Sequence, residues 1–307
     1  MTAFGAMFHH FYDDSHPMGQ GAISGQEFCD IIDHLGRESI LPAEEWLRRA
    51  LTDSLEDNDI CLTFDDALRC QYDVAYPIMK DMGLTGLWFV YSSVFEGNNE
   101  ALEVYRYFRT VYFSKIEDFY DAFFLQVRST YPEEYTERLA DFKPENYLAA
   151  DSFYTEEDRI FRFLRDDVLG VERYHPIMLA MMDEKDFDPD SIRERLWMND
   201  SCLVALQQDA HVIGLHSYTH PTRMKELSAS EQHLEYKKNT EHLGKVLGNR
   251  PVCMSHPCNS YNDVTLSALK KLGIQVGFRA YMDTVPSWTQ LEYPRVDHAM
   301  IMREIKA

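Results

Sequence analysis

The chain has 307 residues, 45% of them hydrophobic, which suits one large domain or a barrel carrying an insertion. Its 51 acidic residues against 30 lysines and arginines leave a net charge of −21. A field of that sign repels phosphate backbones and anionic headgroups, which argues against nucleic acid and membrane surfaces as partners.

Ala6-Met7-Phe8-His9-His10-Phe11 predicts a first strand, followed by a loop marked by Asp13, Asp14, Gly19 and Gly21. Ser24 and Glu27 fit a capping box, and Phe28, Ile31, Ile32 and Leu35 follow at helical spacing. Pro42 to Trp46 opens a second helix. Ile60-Cys61-Leu62-Thr63-Phe64-Asp65-Asp66 predicts a buried strand that ends in two acids. Arg69 to Met82 is helical in pattern, with Pro77 expected to bend it and Gly83 to stop it. Leu87 to Tyr91 is the next strand. This alternation of strand and helix argues for a parallel α/β sheet or barrel.

From about Gly97 to Asp190 the strand signals fade. Tyr105, Phe108, Tyr112, Phe119, Tyr120 and Phe123 recur at three-and-four spacing, as in amphipathic helices whose apolar faces pack together. Further helices are expected over Glu156 to Leu169 and His175 to Met182. The α/β rhythm then resumes. Ser191 to Gln208 predicts a helix, and His211 to Leu215 a strand. Ser228 and Glu231 make a second capping box, opening a helix towards Leu247. Pro251 to Met254 predicts a strand, and a helix to Leu272 leads to the strand Ile274 to Phe278. Tyr293 to His298 shows no clear pattern. The six cysteines form no C-x-x-C pair and are expected as free thiols. Met1 to Gly5 shows no basic-then-apolar leader, and no apolar run reaches about 18 residues. The cytoplasm is the expected location.

Adjacent residues of an extended segment point in opposite directions. One acid of Asp65-Asp66 can therefore ligate a metal while its neighbour handles a proton. Alone, the pair reads more readily as two solvated aspartates at a strand-end turn. His216 and His220 follow another predicted strand, and Pro221 places them on a loop rather than a helix. Two histidines and one carboxylate with an open position form a known catalytic ligand set. Both sets sit at exits of predicted parallel strands, hence on one rim.

Leu62-Thr63-Phe64-Asp65-Asp66, taken with Gly214-Leu215-His216-Ser217-Tyr218-Thr219-His220, resembles the polysaccharide deacetylase family, the NodB-homology group or carbohydrate esterase family four. The resemblance implies a distorted (β/α) barrel over residues 1–97 and 190–307, with 98–189 as a helical insertion. It implies a divalent metal, zinc by preference, held by Asp66, His216 and His220, with Asp65 as the catalytic base. The family's arginine-bearing third motif is replaced by Ser255-His256-Pro257-Cys258-Asn259, followed by Ser260-Tyr261-Asn262. The arginine that orients the base is therefore expected to be missing, with His256 read either as a partial substitute or as a loop residue stacked on Tyr261. By position, the backbone N–H of Cys258 is the oxyanion donor, and Pro257 and Tyr261 line the substrate groove. His298 is the nearest match to the family's proton-donating histidine, with His256 and His175 as other imidazoles suited to that step. His9 or His10 is expected to be structural.

The activity implied is removal of an acetyl or formyl group from an amino sugar or glycan precursor. The alternatives are hydrolysis of other C–N bonds, such as cyclic ureides or imides, and a carbohydrate-binding barrel without turnover. The inserted helices are expected to serve as a lid or as a homo-oligomer contact.

Overall fold

The computed structural model describes residues 3–149, 154–283, 285 and 288–307. The chain divides into two compact units, Met1–Glu100 with Arg193–Ala307, and Ala101–Ile192. In chain order the first unit begins with β1 (Phe4–Phe8), β2 (Phe11–Tyr12), β3 (Ile23–Ser24), α1 (Gly25–Leu35), α2 (Ala43–Leu51), β4 (Ile60–Asp65), α3 (Tyr76–Met82) and β5 (Gly86–Val90). The second unit holds α4 (Ala101–Val111), α5 (Ile116–Thr130), α6 (Pro132–Ala140), α7 (Glu156–Phe163) and α8 (Gly170–Asp183). The first unit resumes with α9 (Arg193–Leu196), α10 (Asp200–Gln208), β6 (Val212–Leu215), α11 (Ala229–Leu247) and β7 (Cys253–Ser255). It ends with α12 (Asp263–Lys271), β8 (Val276–Phe278), β9 (Arg295–Asp297) and α13 (His298–Lys306).

Seven strands form one sheet in the order β8-β7-β6-β5-β4-β1-β9, every pairing parallel. The strands are short apolar runs because both of their faces are covered. The sheet curls until its edges meet. Tyr293, just before β9, bridges Phe278 of β8, donating to the Gly277 carbonyl at 2.8 Å and accepting from the Arg279 N–H at 3.0 Å. A side chain on Gly277 would place its Cβ 2.5 Å from the Leu291 carbonyl oxygen, so this seam admits only glycine. The result is the expected distorted (β/α) barrel. Because all strands are parallel, all their C-terminal ends open on one rim.

Trp46, Leu47 and Ala50 of α2 pack with Cys61, Leu87, Phe89, Cys253, Val276 and Phe278 in one buried cluster. Phe8, Phe28, Phe64 and Trp88 form a second aromatic cluster, with Phe64 stacked on Trp88 at 4.1 Å. Each such buried side chain contributes about 1.5–3 kcal/mol of transfer free energy. In the second unit Phe119 and Phe123 pack on Phe161, and Phe123 also on Tyr174. The aromatic stripe is helix-packing core, as its spacing suggests.

Both capping boxes form, Ser24 with Glu27 and Ser228 with Glu231. Two expectations need correction. The helix predicted over Ser191 to Gln208 breaks after Leu196. There Trp197 bridges Leu68 across the chain, and the Asn199 side chain caps α10. The bend expected at Pro77 is absorbed one step earlier, by a π-helical turn over Gln71–Ala75 that precedes α3. All six cysteines are thiols outside any disulfide, as expected. Among the described residues, no helix is long and apolar enough to cross a membrane.

Candidate active site

Four strand ends supply the site. β4 ends at Asp65, whose side chain follows Cys61 and Thr63 on one face of the strand. The chain then turns sharply, with positive φ at Asp66 (79°) and Ala67 (56°). Ser217 and His220 after β6, and Cys258 and Asn259 after β7, also lie at positive φ. Among the described residues, six of the eleven non-glycine residues at positive φ thus sit in three rim loops. Such backbone strain persists where surrounding structure holds it, and it gathers at functional sites.

The turn is held from several sides. The Gln71 amide, in the π-helical turn, donates to the carbonyls of Asp65 at 2.5 Å and His9 at 2.8 Å. It thereby ties the exit of β1 to that of β4. The Asp66 N–H donates to the Phe89 carbonyl at 3.1 Å. After β6, the Asn239 side chain accepts from the His216 N–H at 3.1 Å and donates to the Val90 carbonyl at 3.0 Å. Glu235 accepts from the N–H groups of Tyr218 and Thr219. These bonds from α11 shape the loop that brings two histidines together without a helix.

Asp66, His216 and His220 each offer a ligand atom within 4.8 Å of the other two. His216 Nε2 lies 3.3 Å, and His220 Nε2 3.4 Å, from Asp66 Oδ1. His216 Nδ1 lies 3.0 Å from the Ser255 carbonyl oxygen. A proton on Nδ1, donated to that carbonyl, leaves the Nε2 lone pair aimed at the cluster, as a metal ligand requires. Asp66 Oδ1 is buried and has no hydrogen-bond partner. An orphaned carboxylate oxygen facing two imidazole nitrogens is costly unless a positive charge joins it, so these residues fit a divalent cation. Burial pushes the Asp66 carboxyl up, but His220, His216 and His9 outweigh it and hold it below its ordinary range.

Asp65 stands beside this set and is held separately. Arg295 of β9 donates to it from both terminal nitrogens, at 2.7 Å to Oδ1 and 2.8 Å to Oδ2. Its Nε–H donates to the Arg279 carbonyl at 3.0 Å. The Ser255 hydroxyl donates to Asp65 Oδ1 at 3.1 Å. Asp65 Oδ2 faces the Nε2 atoms of His216 and His9, each 3.9 Å away. Burial pushes this carboxyl up, and the charges of Arg295, His216 and His9 together hold it below its usual value.

Arg295 corrects the expectation of a missing arginine. It comes from the far end of the chain, at the strand whose pattern was unreadable, and not from the third motif. No local signal marks it; only the pairing of β9 with β1 brings it to Asp65. Of the two readings of His256, the structure bears out the one stacked on Tyr261 and not the substitute for the arginine. His256 is 1% exposed, stacks on Tyr261 at 4.0 Å, and places Nε2 2.9 Å from the Leu291 carbonyl oxygen. Burial pulls its pKa down to about 3, and it neither orients Asp65 nor offers a proton to solvent. Tyr261 is tied by its hydroxyl to Glu292 at 3.0 Å, and Pro257 is buried, so both serve as packing under the loop. Cys258 is exposed at the turn. His298 is not among the residues gathered at Asp66. It opens α13, lies in a separate group with His9 and Asp297, and stacks on Phe8. His175 lies in the helical unit, bonded to the Tyr105 hydroxyl.

A family model described as polysaccharide deacetylase matches residues 192–277, the stretch that carries His216, His220 and the loop after β7. No curated protein matches the chain in sequence. Among solved structures, a Streptococcus pyogenes deacetylase, PplD, in complex with acetate is similar with a TM-score of 0.57 and 15% identity, over 97% of this chain and 92% of its own. A de-N-acetylase from Aggregatibacter actinomycetemcomitans gives 0.58 and 11%, over 99% and 100%. IcaB from Ammonifex degensii gives 0.58 and 13%, over 100% and 97%. The chain is thus polysaccharide-deacetylase-like on two counts, its fold matching along the whole length and its sequence over residues 192–277.

Proposed function

We propose that the protein is a metal-dependent amidohydrolase that removes an acetyl or formyl group from the nitrogen of an amino sugar or glycan precursor. The observation that carries this is the convergence of Asp66, His216 and His220 beside a second, independently held carboxylate. A divalent ion on those three residues, zinc by its donor set, would acidify water and polarise the amide carbonyl.

The chain's own groups then divide the work. Asp65 accepts the proton of the attacking water through Oδ2, the oxygen turned towards the imidazoles. Arg295 keeps that carboxylate ionised and fixes its plane. A carboxyl held below its ordinary pKa gives its proton up readily, so Asp65 can return it to the departing amine. Ser255 couples the base to the ligand His216, bonding Asp65 Oδ1 and lying 2.7 Å from His216 Nδ1. The Cys258 N–H, on the strained turn after β7, is the donor assigned to the oxyanion. Two features favour a barrel without turnover, a missing arginine and the poor match of His298 to a proton-donating histidine; Arg295 answers the first. The acetate bound to PplD is the kind of product this reaction releases.

The test uses chelator-stripped protein reloaded with zinc, offered N-acetyl and N-formyl glucosamine oligomers and then cyclic imides. Release of acetate or formate by the wild type, lost in Asp65→Asn and in Asp66→Asn, is the expected result. Ring opening of cyclic imides with no acid released from the sugars would refute it.

A further inference from the structure

We propose that the protein binds a second divalent cation, between His9, Asp297 and His298, where β1 and β9 leave the sheet together. The two strands are parallel neighbours with Met7 in register with Asp297. The residues just beyond that pair therefore emerge side by side. One ligand atom from each of His9, Asp297 and His298 lies within 4.8 Å of the other two. The group shares no residue with the set at Asp66.

The electrostatics call for a positive occupant. His298 Nε2 lies 2.9 Å from the Gly21 carbonyl oxygen, a bond that only Nε2–H can make. In the neutral ring this leaves the lone pair on Nδ1. That atom is buried, has no hydrogen-bond partner, and faces Asp297 Oδ1 at 3.6 Å, in a residue 5% exposed. Asp297 Oδ1 also accepts from the Ala299 N–H at 2.8 Å and its side chain is 34% exposed, but the buried lone pair on Nδ1 still faces that oxygen and is best satisfied by a cation or a proton between them. An imidazole whose far N–H is pinned on a backbone carbonyl is the common arrangement of a metal-ligating histidine. Two imidazoles and one carboxylate select zinc-like ions over calcium or magnesium, which favour oxygen.

The site reaches the first one through a single side chain. His9 Nε2 lies 3.9 Å from Asp65 Oδ2, so an ion on His9 would fix that ring beside the base. It would also tie β1 to the strand that carries Arg295. The inference does not rest on the hydrolase reading.

Metal content per chain tests it, on the full chain stripped with chelator, reloaded with zinc and desalted. About two ions are expected for the wild type, and about one each for Asp66→Asn, His9→Gln and Asp297→Asn. The last two variants spare the fold: His9 is at the rim, and asparagine still caps α13. Combining Asp66→Asn with Asp297→Asn should leave essentially none. A wild type with about one ion, unchanged in His9→Gln and Asp297→Asn, would overturn the proposal. Failure of the hydrolase assay would leave these counts unaffected.

Discussion

Replacing Arg295 with methionine leaves Asp65 in the barrel without its main counter-charge. Arg295 is 1% exposed and Asp65 2%, so water cannot take the guanidinium's place. Removing one partner of such a pair costs about 3–5 kcal/mol, at the lower end here because the Ser255 hydroxyl stays on Oδ1. Asp65→Asn strands the opposite charge at similar cost. The double variant removes both charges, so its loss should fall short of the summed single losses by at least about 2 kcal/mol. The deficit of Arg295→Met should also shrink on acidification. Without the arginine, burial dominates and raises the Asp65 pKa above that of the unfolded chain. The variant is then penalised above that range and relieved as the pH falls through it, while the wild type loses its own advantage. Denaturation followed by tryptophan fluorescence, in chelator throughout, is the assay. Trp46, Trp88, Trp197 and Trp288 are the protein's only tryptophans and all lie in the barrel unit, so the signal ignores the helical unit. Single losses that add to within about 0.5 kcal/mol would refute the pairing.

Other consequences are open to measurement. A Cβ on Gly5 would sit 2.9 Å from Thr63 Cγ2 and 3.1 Å from Arg295 Cγ, so Gly5→Ala should cost about 1–3 kcal/mol in the same denaturation assay. His211 accepts at Nδ1 from the Gly86 N–H and the Trp88 indole N–H, both at 3.0 Å, and burial pulls its pKa down to about 4. The unfolded chain takes that proton first. The stabilisation is therefore full above about pH 6.5 and is lost towards about pH 4, some 3 kcal/mol in all. The wild type should show this loss between those pH values in denaturation curves, and His211→Gln should not. Zinc at about a hundred times its dissociation constant should raise the unfolding free energy of stripped wild type by about 2.7 kcal/mol per site, and Asp66→Asn should lose one site's share.

The acids and imidazoles of the site were legible because they follow short apolar runs that read as strands of a parallel sheet. Thr63-Phe64-Asp65-Asp66 and His216 to His220 each announce a strand exit, and parallel strands share a rim. The helices of the second unit were legible from aromatic spacing, Phe119 and Phe123 among it, while Phe161, which no spacing singled out, is the ring they bury against. What stayed hidden depends on contacts far along the chain. Arg295 has ordinary neighbours in sequence, and its partner is fixed by strand order alone. Gln71 looks like any helical glutamine until the π-helical turn points it at two strand ends. His256 stands in a motif that offers two readings, and packing against Tyr261 decides between them. The three-residue strand β9 is too short to show a period at all.

The closing seam at Tyr293 has a bearing on how the molecule matures. The acid of β4 waits 230 residues for its guanidinium, and that guanidinium docks only when the last stave of the barrel is laid between β1 and β8. Contacts so distant are slow to find. A partly assembled barrel therefore holds a complete trio of metal ligands with an untethered base, able to capture an ion before it can turn over. Competence would lag behind ion capture, and the final strand would act as the safety catch.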